Sequence, residues 1–257
     1  METIQQISNK YDTDKTIHTH YLKNYADLFE PLIEKEVKLL ELGIFHGGSL
    51  LMWRDYFSKG QIVGLDINPI KIEDESGRIH VYQGRQEDKK LLDEIAREIA
   101  PAGFDIIIDD CSHIGAFSRV SFWHLFENHL KSGGIYVIED WGTGYWENWI
   151  DGAKFRQYDF GRSIKLSERI AYKFAQLQTK YFRSIPVINN LISALKSSLL
   201  EKNCYSHNMG MVGFVKELVD ECGMGDIYHS EFGTAGGRAS LFRELKISHG
   251  HVFVIKA

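Results

Sequence analysis

Apolar residues along this chain fall into short dense runs separated by amphipathic stretches. The runs are Val37–Leu42, Gln61–Ile67, Ile79–Gln83, Phe104–Asp109 and Gly134–Glu139, and each reads as a strand. They are apolar on both faces, which predicts strands covered from both sides. Between them, Ser49–Tyr56, Asp88–Ile99 and Ile114–Leu130 follow a helical pattern. Strands alternating with helices predict an α/β fold around a mostly parallel sheet. The turn Leu130-Lys-Ser-Gly-Gly134 ends one helix and launches the next strand.

Outside this core the pattern changes. Residues 1–36 read as helical, with Tyr21, Tyr25, Leu28 and Phe29 at roughly helical spacing. Residues 141–153 are rich in Trp, Gly and Tyr, and residues 154–202 carry ten Lys or Arg against three acids. That stretch reads as a basic, partly helical insertion. A solvated helix pair is its plain interpretation; a lid, an oligomer contact or an anionic membrane surface are the others. A helix then resumes at Gly210–Cys222, and Ile227–Phe232 and His251–Lys256 read as two last strands. The expected organisation is an N-terminal helical cap at 1–36, then one Rossmann-like domain at 37–257 with the insertion at about 142–206.

Composition narrows the function classes. The chain has 257 residues, 44% of them hydrophobic and 25% charged, with a formal net charge of −5. This fits one large α/β domain with an elaboration, or two small ones, and argues against a generic nucleic-acid binder. Cys111, Cys204 and Cys222 form no C-x-x-C pair and no even framework, as expected of reduced thiols in the cytoplasm. Met1-Glu-Thr-Ile-Gln-Gln has neither the basic nor the apolar part of a signal peptide. No uncharged apolar run approaches the about 18 residues of a membrane span.

The chemistry begins at Glu41-Leu-Gly-Ile-Phe-His-Gly-Gly-Ser49, a glycine loop between a strand and a helix. The next strand ends in Asp66. Strand, glycine loop, helix, strand, acid is a nucleotide-type binding unit. The loop lacks the G-x-G-x-x-G that brings backbone amides to a pyrophosphate, which counts against NAD. Its E-x-G-x-x-x-G-x-S spacing suits S-adenosylmethionine (SAM), which has no phosphate. Glu41, Gly43, Gly47 and Ser49 are the loop candidates, and Asp66 fits an acid bonding ribose hydroxyls. In Val81-Tyr-Gln-Gly-Arg-Gln-Glu-Asp88, an amide or acid such as Gln86 or Asp88 suits the adenine amino group; Asp88 reads equally as a helix N-cap. His46, inside the loop, suits packing against cofactor or solvent.

Two strands end in paired acids: Asp109-Asp110, followed by Cys-Ser-His113, and Glu139-Asp140. Either pair alone reads as a helix or loop cap. On neighbouring strands, about 4.8 Å apart, the four carboxylates converge over one crevice and need protons or a cation to coexist. An oxygen-only ligand set favours Mg²⁺, Ca²⁺ or Mn²⁺. Ser112 is a candidate N-cap for the following helix. His113 is either a first-turn surface residue or a general base for a substrate hydroxyl. Trp141, Trp146 and Trp149 read as packing or as walls for a sugar or aromatic substrate.

The segments Gly47–Phe57, Gln61–Asp66, Ile108–His113 and Val137–Asp140 resemble the metal-dependent sugar O-methyltransferases of macrolide biosynthesis, and Tyr11-Asp-Thr-Asp-Lys-Thr-Ile-His18 resembles a segment before the core in that group. The likeness covers roughly residues 11–141. The tail His251–Ala257 resembles the antiparallel last strand of class I methyltransferases. The resemblance implies a class I SAM fold, Mg²⁺ held by Asp110, Glu139 and Asp140, and His113 as base, with Asp109 left to the cofactor. Cys111 stands where the family usually has glycine. The implied activity is SAM- and Mg²⁺-dependent methylation of a hydroxyl on a sugar or glycosylated natural product. The implied partner is a small sugar-containing molecule; a homo-oligomer is left open. A metal-independent methyltransferase and a SAM-binding protein without turnover are the alternatives.

Overall fold

The computed structural model describes residues 2–17, 19–153, 166–177, 181, 185–201, 209–227 and 237–257. Strands β1 (Lys38–Leu42), β2 (Gln61–Asp66), β3 (Ile79–Gln83), β4 (Phe104–Asp109), β5 (Leu130–Glu139), β6 (Phe242–Ile247) and β7 (His251–Lys256) form one sheet. Their order is β3-β2-β1-β4-β5-β7-β6. Strands β1 to β5 pair in parallel, and β7 runs antiparallel between β5 and β6. The order reverses between β1 and β4. That switch point is where an open α/β sheet leaves a crevice beyond its strand tips.

Helices cover both faces, as the doubly apolar strands require. On one face, Leu42, Ile107 and Ile138 pack with Phe122, Leu125 and Phe214. Those partners lie on α5 (Gly115–Asn128) and α8 (Gly210–Cys222), while α4 (Lys89–Ile99) adds Leu92 and Ile95. On the other face, Leu39, Ile106, Ile108 and Val137 pack with Leu22, Tyr25 and Trp53. Leu22 and Tyr25 belong to α2 (Thr19–Phe29), and Trp53 to α3 (Gly48–Tyr56). A short α1 (Ile4–Ser8) buries Ile4 and Ile7 on this side. The first 36 residues are therefore not one run of helix. Asp14–Thr16 forms a single 3-10 turn, and Tyr11–Thr13 is irregular.

The chain divides into two compact units, residues 1–153 with 208–257, and residues 154–207. The second unit contains α6 (Leu166–Leu177) and α7 (Pro186–Glu201), which pack together around Ala171 and Ile192. Arg169 and Lys173 of the basic stretch are exposed there. The other basic positions lie outside the residues, or the side chains, described. No helix among the described residues is long and apolar enough to cross a membrane.

Two expectations are corrected. The strand placed at Ile227–Phe232 does not begin there: Ile227 ends a short helix, α9 (Met224–Ile227), and residues 228–236 lie outside those described. The strand beside β7 is Phe242–Ile247, whose outer face is polar because it forms the sheet edge. Ser112 is not the N-cap of α5. Ile114 holds that position without a side-chain cap, and Asp151 Oδ2 accepts from Gly115 N–H at 2.7 Å instead.

Candidate active site

The glycine loop is shaped by what crosses it. Gly43 has φ +81°, and a Cβ there would lie 2.2 Å from the Asp110 carbonyl oxygen. A Cβ on Gly48 would lie 1.9 Å from the carbonyl oxygen of Asp12. The tip of β4 and the Tyr11–Thr13 segment thus press against the loop, and glycine is needed for close approach. Gly47, at φ +84°, caps α3 in the left-handed region. Asp66 Oδ2 accepts from Ile44 N–H at 3.1 Å, tying the loop to the end of β2.

A cavity of about 550 Å³ opens here, lined by Gly43, Ser49, Asp66, Gln86, Asp110 and His113 among others. Its size suits a cofactor-scale ligand. Glu41 lies fully buried behind it, accepting from Ser49 Oγ at 2.9 Å. Gln86 donates to Asp109 at 3.1 Å and accepts from Ser112 N–H at 3.1 Å. Cys111 lines the same cavity, and burial pushes its thiol well above the ordinary range. Asp88 stands apart: its carboxylate accepts from Lys90 and Leu91 N–H as the N-cap of α4, and it does not line the cavity. Gly47 also lies off the lining.

Sheet register sorts the acids. Side chains alternate faces along a strand, and paired residues share a face. Glu41 pairs with Ile108, Asp109 with Ile138, and Glu139 with His251. Glu41, Asp110 and Glu139 therefore lie on the α2 side. Asp109 points to the α5 side, where Ser121 and Gln86 bind it.

Lys15 closes the α2 side. Its Nζ lies 2.6 Å from Glu139 Oε1, 2.8 Å from Asp110 Oδ2 and 3.2 Å from Glu41 Oε1, and the side chain is 1% exposed. Burial opposes its charge, but Asp110, Glu139 and Glu41 outweigh it and hold the ammonium well above its usual range. Burial also opposes the charge on Glu139, yet Lys15 and then His251 hold that carboxyl low. Asp110 is left short of counter-charge: burial and then Glu139 push it well above the carboxylate range despite Lys15. Tyr25 donates to Glu139, and Tyr21 donates to Asp140.

The outer side is open. Ligand atoms of Asp110, His113 and Asp140 lie within 4.8 Å of one another, as do those of Glu41, Asp110 and Glu139. His113 and Asp140 have φ of +50° and +51°, conformations that non-glycine residues rarely hold. The His113 carbonyl is clamped by Trp149 Nε1 at 2.9 Å and Thr143 Oγ1 at 3.3 Å. A second cavity of about 460 Å³ adjoins Glu139 and Asp140, walled by Tyr21, Trp141, Tyr145 and Trp146. Asp14 borders both cavities and Lys15 the second.

Lys15 and the Asp12–Asp14 lining are the parts that sequence reasoning missed. Their signal was a polar segment without periodicity, Tyr11–His18, ahead of the first strand. Trp149, considered as packing or as a substrate wall, donates to the His113 carbonyl and does not line the second cavity.

No protein-family model matches the chain. Over 151 residues it is 43% identical to mycinamicin VI 2''-O-methyltransferase of Micromonospora griseorubida, covering 56% of this chain and 37% of that protein. It is 40% identical, over the same shares, to demethylmacrocin O-methyltransferase of Streptomyces fradiae. Among solved structures, the MycE methyltransferase from the mycinamycin biosynthetic pathway, in complex with Mg and SAH, superposes with a TM-score of 0.69 at 29% identity. That match covers 100% of this chain and 54% of the other. The chain thus spans about half the length, or less, of the relatives it matches. Its sheet is that of the class I methyltransferases, and its sequence is similar to their macrolide-sugar O-methyltransferases.

Proposed function

We propose that this chain is a SAM- and Mg²⁺-dependent O-methyltransferase acting on a hydroxyl of a sugar or glycosylated natural product. The observation that carries the reading is the meeting of Asp110, His113 and Asp140 at the lip where the two cavities adjoin. The donor set suits a hard divalent ion: Asp110, Glu139 and Asp140 offer oxygens only, and Lys15 contacts just one oxygen of Asp110. The first cavity suits the cofactor. Its glycine loop forms one wall, Asp66 and Gln86 line it, and no phosphate cradle is needed.

When bound, SAM supplies an electrophilic methyl group and Mg²⁺ lowers the pKa of a hydroxyl it coordinates. Asp110, Glu139 and Asp140 would hold the ion. Glu41, Gly43, Ser49, Asp66 and Gln86 shape or line the cofactor cavity, with Asp109 holding Gln86 from behind. His113 Nε2 takes the hydroxyl proton, and Asp110 Oδ1, 3.8 Å away, stabilises the imidazolium that results. The Trp149 and Thr143 clamp holds the His113 backbone in place before substrate arrives. Aromatic walls of the second cavity bury the acceptor ring and exclude water.

The test is methyl transfer from isotopically labelled SAM to a panel of glycosylated acceptors, with and without EDTA. Activity abolished by EDTA and restored by Mg²⁺ is expected, with His113→Ala lowering kcat by about 10²–10⁴-fold. Full activity after thorough chelation would favour the metal-independent alternative. Tight SAM binding without turnover on the panel would favour a binding protein.

A further inference from the structure

Two ligand sets overlap at Asp110. The outer set, with His113 and Asp140, faces the cavities; the inner set, with Glu41 and Glu139, is buried. Two buried carboxylates and a partly buried one, packed together, normally require a cation or protons. Here the space between them is filled by the Lys15 ammonium, in contact with all three. Glu41 Oε1 makes no other polar contact among the described residues and has no hydrogen-bond partner. The lysine is delivered by a fixed backbone: Thr13 Oγ1 accepts from Lys15 N–H, and Ile17 N–H donates to Asp14 O at 2.8 Å. The three acids sit on β1, β4 and β5, so one side chain ties the tips of three adjacent strands.

We propose that Lys15 is a built-in cation that fills the inner ligand set and confines an added divalent ion to the cavity side of Asp110 and Asp140. It is a positioning residue. One oxygen each of Asp110 and Glu139 is fixed on the ammonium; Asp110 Oδ1, beside His113, is left for a ligand on the cavity side, while Glu139 Oε2 lies 3.9 Å from the buried His251. A site for two adjacent ions is thereby reduced to one. The outer half of this statement rests on the proposed metal dependence; the inner half does not.

The experiment compares the whole chain with its Lys15→Met variant, which keeps the side-chain length and removes the charge. Mn²⁺ bound per chain is counted from the electron paramagnetic resonance signal of free Mn²⁺, and thermal melts are run in EDTA and in excess MnCl₂. Lys15→Met is expected to bind one Mn²⁺ more than wild type. In EDTA its Tm should fall by about 6–15 °C, from unpaired buried charge, and Mn²⁺ should restore most of that loss. Wild-type Tm should shift less on Mn²⁺ addition. An unchanged ion count, or a Tm loss equal with and without Mn²⁺, overturns the proposal. Only the increment matters, so an ion at any other site common to both proteins cancels. If wild type binds no Mn²⁺ while Lys15→Met binds one, the role of Lys15 stands and the metal-dependent reading fails. Should Lys15→Met not fold, the Lys15→Met/Glu41→Gln double variant decides. Removing one of the three acids is expected to restore folding, and failure to do so overturns the proposal.

Discussion

The two acidic corners share one sequence pattern, an apolar strand ending in two acids, yet the sheet turns their first acids to opposite faces. At β4 the first acid, Asp109, turns to the α5 face and is absorbed by Gln86 and Ser121, while the second, Asp110, reaches the site. At β5 the first acid, Glu139, is the buried one on Lys15 and Tyr25, and the second, Asp140, leaves the strand in a left-handed conformation to meet Asp110. Paired residues of adjacent strands share a face, and Asp109 pairs with Ile138, so the one-residue offset sends Asp109 and Glu139 to opposite faces. Position within the motif separates the inward acid from the outward one; register decides which face the inward one takes.

The sharpest way to break the comparison is to neutralise the outward acid of each corner. Asp110→Asn and Asp140→Asn are each expected to lower kcat/KM for methyl transfer by about 10³-fold, since each removes the charge of a proposed ion ligand. Asn tolerates the left-handed backbone at position 140, so Asp140→Asn should keep its folded structure by circular dichroism. Activity above one tenth of wild type in both variants would remove the outward acids from the mechanism.

The inward acids should differ in stability. Glu139→Gln leaves Lys15 with a weaker partner in a buried network, and denaturant melts are expected to show a loss of about 3–5 kcal/mol. A loss under about 1 kcal/mol would mean that the knot around Lys15 is not rigid.

Asp74 supplies a contrast outside both corners, a carboxylate fully supplied with donors. It accepts from Ser76, from Arg78 and Ile79 N–H at 3.0 Å each, and from Arg54 at 3.1 Å. Burial opposes its charge, but Ser76 and the backbone amides outweigh it and hold its carboxyl well below the usual range. Between the folded and unfolded pKa the unfolded chain binds more protons, so stability is present above about pH 4 and is lost as pH falls further. Asp74→Asn is expected to cost about 1–3 kcal/mol at neutral pH and to flatten that acid limb in urea melts from pH 5 to 3.

The smallest effect is expected at Asp109. Burial raises its pKa, so it gains little from ionisation, and an amide can keep the contact with Ser121. Asp109→Asn should stay within about 1 kcal/mol of wild type at neutral pH. A larger loss would show that the two inward acids are equivalent after all.

The sequence by itself determined six of the seven strands described, most helices and the candidate corners. Strand burial and helical amphipathicity are local patterns, and a glycine loop followed by a strand-end acid is contiguous. The same text could not say which acid of each pair faces the site, because that depends on pairing between strands far apart in the chain. Nor could it single out Lys15, whose partners lie 26, 95 and 124 positions away. Only the packed tertiary structure brings that ammonium among two buried carboxylates and a partly buried third, where low solvent access makes the attraction strong enough to organise the site.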